Sequence, residues 1–109
     1  MNEQLLEFEK EADALRNEGK YQEAAEKLQE ALKLDDTFVR GHLALSVLYH
    51  HLQDYERSCM HGEKAVELEP NDVFNLSALS VTYQRAFEGT RDPIYIQKAE
   101  EAMAKSRGI

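Results

Sequence analysis

A chain of 109 residues has room for one domain with one modest core, because a chain this short buries only about two thirds of the surface its unfolded form exposes. Thirteen Lys and Arg against 21 Asp and Glu give a formal charge of −8, which repels phosphate backbones and anionic lipid surfaces and sets nucleic acid aside as a ligand. The composition is 42% hydrophobic and 31% charged with only two prolines, as expected of an ordered helical protein; no apolar run is long enough to cross a bilayer, and Met1-Asn2-Glu3-Gln4 is no secretory signal, so we expect an acidic cytoplasmic protein without membrane insertion.

In chain order, the first predicted helix covers residues 3–17, where Leu5, Phe8, Ala12 and Leu15 recur at three and four positions. That spacing makes a stripe on a helix, whereas a strand needs alternation. Glu18-Gly19-Lys20 interrupts it, a second helix follows over 21–34, and Asp35-Asp36-Thr37 then offers N-cap side chains to the next helix. The third helix, 38–52, carries Leu45, Leu48, Tyr49 and Leu52, and Gln53-Asp54 leads into the fourth, 55–68. Pro70-Asn71-Asp72 introduces the fifth, 72–87, with Leu76, Leu79, Tyr83 and Phe87 in its stripe. Asp92-Pro93 starts the sixth, 93–106, with a cap residue followed by proline.

This alternation has a period of 34 residues. Leu45-Ser46-Val47-Leu48-Tyr49 returns as Leu79-Ser80-Val81-Thr82-Tyr83, and Tyr21 and Tyr55, Ala31 and Ala65, Leu34 and Leu68, Val39 and Val73 stand at the same offset. The units run over 5–38, 39–72 and 73–107 of one domain, 1–109. Leu15, Gly19, Tyr21, Ala24, Leu28, Ala31 and Leu34 in the first unit, and Leu45, Tyr49, Tyr55, Ala65, Leu68 and Pro70 in the second, resemble the signature of the tetratricopeptide-repeat family. The resemblance implies an all-α fold, a right-handed superhelical stack of three antiparallel helix hairpins. Small residues such as Ala24 and Ala31 let helices approach, and the tyrosines fill space beside the turns.

Two departures stand out. Gly62 takes a place where the family usually has a large residue, which leaves a gap or admits a neighbouring side chain. In the third unit the nine-residue step of Leu15 to Ala24 and Tyr49 to Ser58 becomes sixteen from Tyr83 to Ala99, an insertion of about seven residues near Phe87 to Asp92 that reads as a lengthened loop, with a functional loop over 88–92 as the alternative.

The resemblance implies that first helices line a concave groove. Its residues would be Arg16 and Asn17 from the first unit, with Leu6, Glu9, Lys10 and Asp13 beside them; Arg40, Leu43, Val47, His50 and His51 from the second, with Ala44; and Phe74, Ala78, Val81, Gln84 and Arg85 from the third, with Ser77. The middle of this set is apolar and needs a cover, which implies a peptide or partner helix as ligand. Arginines on one rim would suit a carboxylate. One subset of the family grips chaperone-tail carboxylates, but the matching positions here are Glu9, Asp13, Ala44, Phe74 and Ala78, which retain none of that chemistry.

Little else in the chain carries chemistry. Cys59 is the single cysteine and reads as a small apolar core residue. His42, His50, His51 and His61 cluster in the second unit, yet none are four apart on one helix and adjacent His50 and His51 point about 100° apart, so no metal site is expected. Glu23, Glu26, Glu30, Glu63, Glu67, Glu100 and Glu101 alternate with lysines as a solvated outer face. Without a phosphate loop or nucleophile elbow we expect no enzyme and no cofactor, but a protein-binding adaptor. The alternative is a scaffold unit that self-assembles through its terminal repeat, where Ile94, Tyr95 and Met103 would form an exposed end.

Overall fold

The stripes and breakers become three antiparallel hairpins in the computed structural model, which describes residues 2–108. The helices are α1 (Glu3–Asn17), α2 (Tyr21–Leu34), α3 (Val39–His51), α4 (Tyr55–Leu68), α5 (Val73–Thr90) and α6 (Ile94–Ser106), with no strand among the described residues. Within each hairpin the two helices pack along their length. Between hairpins α2 meets α3, α4 meets α5, and α3 also touches α5, so first helices sit side by side. None of the described helices is long and apolar enough to cross a membrane.

The repeated residues do repeated work. Leu28 and Leu45, 1% and 0% exposed, centre a core with Ala12, Ala24 and Leu48, where small side chains permit close helix contact. Ser46 and Ser58 exchange hydrogen bonds, each hydroxyl donating to the other's carbonyl at 2.8 and 2.6 Å, which ties α3 to α4; Ser80 repeats the device on α5 by donating to the Ala99 carbonyl at 2.9 Å. The tyrosines reach back one hairpin. Tyr49 accepts from the Gln29 amide of α2, and Tyr83 donates to the Glu63 carboxylate of α4. Burial and that carboxylate push the Tyr83 phenol well above its ordinary range.

Two expectations need correction. Asp54 and Asp72 do cap α4 and α5 by accepting from Arg57 N and Asn75 N, both at 3.1 Å. The Asp35-Asp36-Thr37 segment supplies no such cap to α3, because the Asp35 carboxylate accepts from both Thr37 N and Thr37 Oγ1 and closes its own turn. Nor is the insertion a long loop. Most of it lengthens α5, which reaches Thr90 before Arg91 turns the chain at φ 63°. Gly89 makes the extension possible: the Tyr55 ring lies where a Cβ would stand, with Cζ only 2.2 Å from that position. The sequence suggested a lengthened loop over this stretch; the structure keeps it helical and uses the glycine as a flat seat for an aromatic ring. Asp92 then accepts from Ile94 N at 3.1 Å and starts α6 behind Pro93.

Gln53 occupies the left-handed region at φ 61°, the place of Gly19 at φ 79° in the preceding unit. A side chain there is strained by about 1 kcal/mol, so Gln53→Gly is expected to raise the urea midpoint by that equivalent, and an unchanged midpoint would show the strain is absent.

Candidate partner-binding groove

Side chains four or three apart on a helix share a face. On α3 that face presents Arg40, Leu43 and Val47; on the adjacent α5 it presents Phe74, Ala78, Val81 and Arg85. Leu43, Val47, Phe74, Ala78, Val81 and Arg85 converge on one pocket of about 360 Å³ at the seam between the two helices. Val47 is 36% exposed, Val81 40% and Phe74 85%, so the apolar middle of the face lies open to solvent. Such exposure in a row is what an interaction site shows.

The floor of the pocket was only half legible in the sequence. It is made by Ser46, Gly62, Leu79 and Thr82, with Gly62 coming from α4 behind the seam. A Cβ on Gly62 would stand 3.0 Å from Leu79 Cδ1 and 3.4 Å from Ser46 Oγ, so Leu79 leans against α4 through the missing side chain. Both hydroxyls are occupied: Ser46 Oγ donates to the Ser58 carbonyl and Thr82 Oγ1 donates to the Ala78 carbonyl at 3.0 Å. What remains for a ligand is chiefly methyl and methylene surface.

The other expected groove residues are dispersed. Arg40 is joined to Glu9 of α1 by two hydrogen bonds of 2.9 and 2.8 Å, a bidentate pair that fastens α3 to α1. Its guanidinium also lies 5.5 Å from the Phe38 ring centroid. His51 stacks on Tyr21 with ring centroids 4.5 Å apart at the turn of the first hairpin. His50 is half-buried beside Tyr55, and its Nδ1 is enclosed without a hydrogen-bond partner. Burial, then Arg85 and His51, push its pKa below the ordinary imidazole value, which disfavours a positive charge at this place on the rim. Gln84 faces away from the seam: it reaches Ser80 Oγ at 3.4 Å and lines a separate cleft between α5 and α6. Arg16 and Asn17 are exposed at the end of α1. Among the described residues no carboxylate lies within ion-pair distance of Arg16 or Arg85.

Elsewhere the reactive groups are enclosed. Burial, reinforced by Glu63, raises the Cys59 thiol to about 11, which keeps it protonated and unreactive at neutral pH. His42 and His61 come from different helices yet meet with Nδ1 atoms 3.0 Å apart. The Asp36 carbonyl can only accept, so His42 Nε2 carries the hydrogen of their 2.8 Å bond. His42 Nδ1 is then a bare acceptor for His61 Nδ1–H, and His61 Nε2 is buried with no partner. The histidine cluster thus resolves into a buried pair, a ring beside Tyr55 and a ring on Tyr21. No group of three or more His, Cys, Asp and Glu among the described residues is placed to hold a metal ion.

A TPR repeat model matches residues 12–53, and a tetratricopeptide repeat model matches residues 39–72. Among solved structures the chain is similar to the first TPR of Spaghetti (RPAP3) bound to HSP90 peptide SRMEEVD, with a TM-score of 0.69 at 15% identity over 99% of this chain and 94% of that chain. At that identity the likeness speaks to the fold alone. No curated protein matches the sequence.

Proposed function

The chain belongs to the tetratricopeptide-repeat family, and from that premise we propose that it is a non-catalytic interaction module whose concave groove holds a peptide or helix of a partner protein. One observation carries the reading: Val47, Phe74 and Val81 stand exposed around a single apolar pocket on the face shared by α3 and α5. Burying such side chains under a partner releases about 25 cal/mol for each Å² removed from water. The family's carboxylate clamp is not the site we propose, since Glu9, Asp13, Ala44, Phe74 and Ala78 stand at its positions and Glu9 is already bound to Arg40.

Affinity capture from the native cell tests the groove. Val47→Arg places a charge at the pocket edge and is expected to weaken the captured partner at least tenfold, or about 1.4 kcal/mol, whereas Lys33→Glu on exposed α2 should leave it unchanged. Equal retention by the wild type and Val47→Arg would reject the groove as the site.

A second reading has its own support. The α5–α6 cleft, about 710 Å³ and lined by Phe87, Ile96, Ala99 and Met103, could pair with a second copy. Ile94 and Ile96, 44% and 43% exposed, stand on the same terminal helix. Sedimentation over a range of concentrations separates the readings: a groove adaptor keeps a constant mass, while self-assembly raises it.

A further inference from the structure

Resting on the groove reading, we propose that the partner is an extended segment with one large aliphatic or methionine side chain seated in the α3–α5 pocket and an Asp or Glu two residues away bound by Arg85.

Shape sets the first half. Ala78 has a short side chain in the wall, Gly62 has none in the floor, and Leu79 leans back against α4, so the space is bounded by Leu43, Val47 and Val81. The Ser46 and Thr82 hydroxyls already donate to the Ser58 and Ala78 carbonyls and the Asn75 amide of the lining donates to Glu69, so a polar side chain entering here would exchange water for few free groups. A flexible unbranched or γ-branched apolar side chain loses nothing polar and fills the irregular space. Phe74, 85% exposed, stands at the rim and gains cover when the segment lies across it.

Charge sets the second half. Among the described residues Arg85 is the only ionisable one lining the pocket, in a chain whose formal charge is −8. No described carboxylate neutralises it within ion-pair distance. A uniformly acidic segment would be repelled by most of the surface, but one carboxylate beside the anchor can form a charge-assisted hydrogen bond. For a segment that lies along α5, spacing follows from helix geometry. Arg85 lies one turn beyond Val81 on α5, about 6 Å along the axis, which matches the roughly 6.6 Å between alternate side chains of an extended chain. Anchor and carboxylate therefore sit on the same side of the bound segment with one residue between them.

Selection of short random peptides displayed against the intact protein tests this. The wild type is expected to enrich peptides with Leu, Ile or Met two positions from Asp or Glu. Replacing that anchor by Ala in a selected peptide should weaken binding about tenfold in fluorescence anisotropy. Ala78→Leu and Arg85→Glu alter exposed positions and leave the core intact. Ala78→Leu should erase the preference for a large anchor, and Arg85→Glu should replace the acidic preference by a basic one. Selected peptides that lack the pairing but lose binding to Val47→Arg would overturn this specificity and leave the groove standing. Peptides that bind Val47→Arg as well as wild type would overturn the groove itself, and failure to enrich any sequence counts against both.

Discussion

Acidification from above pH 7 to about pH 4 is expected to remove about 3 kcal/mol of folding stability through His61 alone. The ring is 5% exposed, stacked on Tyr49 of α3 with centroids 5.7 Å apart, and joined through Nδ1 to His42. Protonating it would put a second N–H on Nε2, which has no acceptor. Burial first, then His42 and Arg57, push its pKa from 6.5 down to about 4. The unfolded chain takes up this proton near pH 6.5 and the folded chain only near pH 4, so the unfolded state gains through that interval. Stability from this group is therefore complete above pH 6.5, falls as the pH drops, and levels off below about 4. His50, lowered chiefly by burial, acts in the same direction. Lost carboxylate charge relieves self-repulsion in so acidic a chain and opposes the trend, so the comparison is with His61→Asn. Its amide can keep a hydrogen bond to His42 Nδ1 without titrating. Urea unfolding at several pH values should give a steeper acid loss for the wild type than for His61→Asn; parallel curves would show that His61 is not held neutral.

Gly89→Ala is expected to destabilise the fold by about 1 kcal/mol even though it removes a glycine from a helix. Alanine in a helix interior is worth about 1 kcal/mol over glycine. Against that gain, the new methyl would meet Tyr55 Cζ, Cε2 and Oη at 2.2 to 2.5 Å, and overpacking of a rigid ring costs about 1–3 kcal/mol or more. Half-buried Tyr55 packs against the cluster of Cys59, Leu79, Tyr83 and Ala86, so moving its ring away from the methyl gives up part of that contact. The sign should reverse when the ring is gone: in a Tyr55→Leu background Gly89→Ala should be neutral or stabilising by about 1 kcal/mol. Thermal unfolding of the four proteins checks this, and a destabilisation that persists without the ring would place its cause in the backbone.

These two sites also mark where sequence reasoning stops. Repetition at 34 residues exposes the hairpins, because each unit must present the same stripe to the same kind of neighbour. Leu45 and Leu79, or Ser46 and Ser80, are visible as pairs for that reason. Contacts made once escape it. The Tyr55 ring on Gly89 joins residues 34 positions apart but has no counterpart in the other units, and a glycine near the end of a helical stripe reads as loop. The meeting of His42 with His61 depends on how α3 lies against α4, which no spacing on a single helix reveals. Groove positions were legible as helix faces, but the pairing of Arg40 with Glu9, the turn of Gln84 toward α6 and the burial of His50 were not. Gly62 announced an irregularity; its place in the pocket floor required the neighbouring helix.

Amide shift mapping of isotopically labelled protein, titrated with the segment it retains, gives the most direct test of the groove. The largest changes are expected at Leu43, Val47, Ala78, Val81 and Arg85, on neighbouring faces of α3 and α5. Changes gathered instead on the outer faces of α2 and α4, or in the cleft formed by Phe87, Ile96 and Met103, would contradict it.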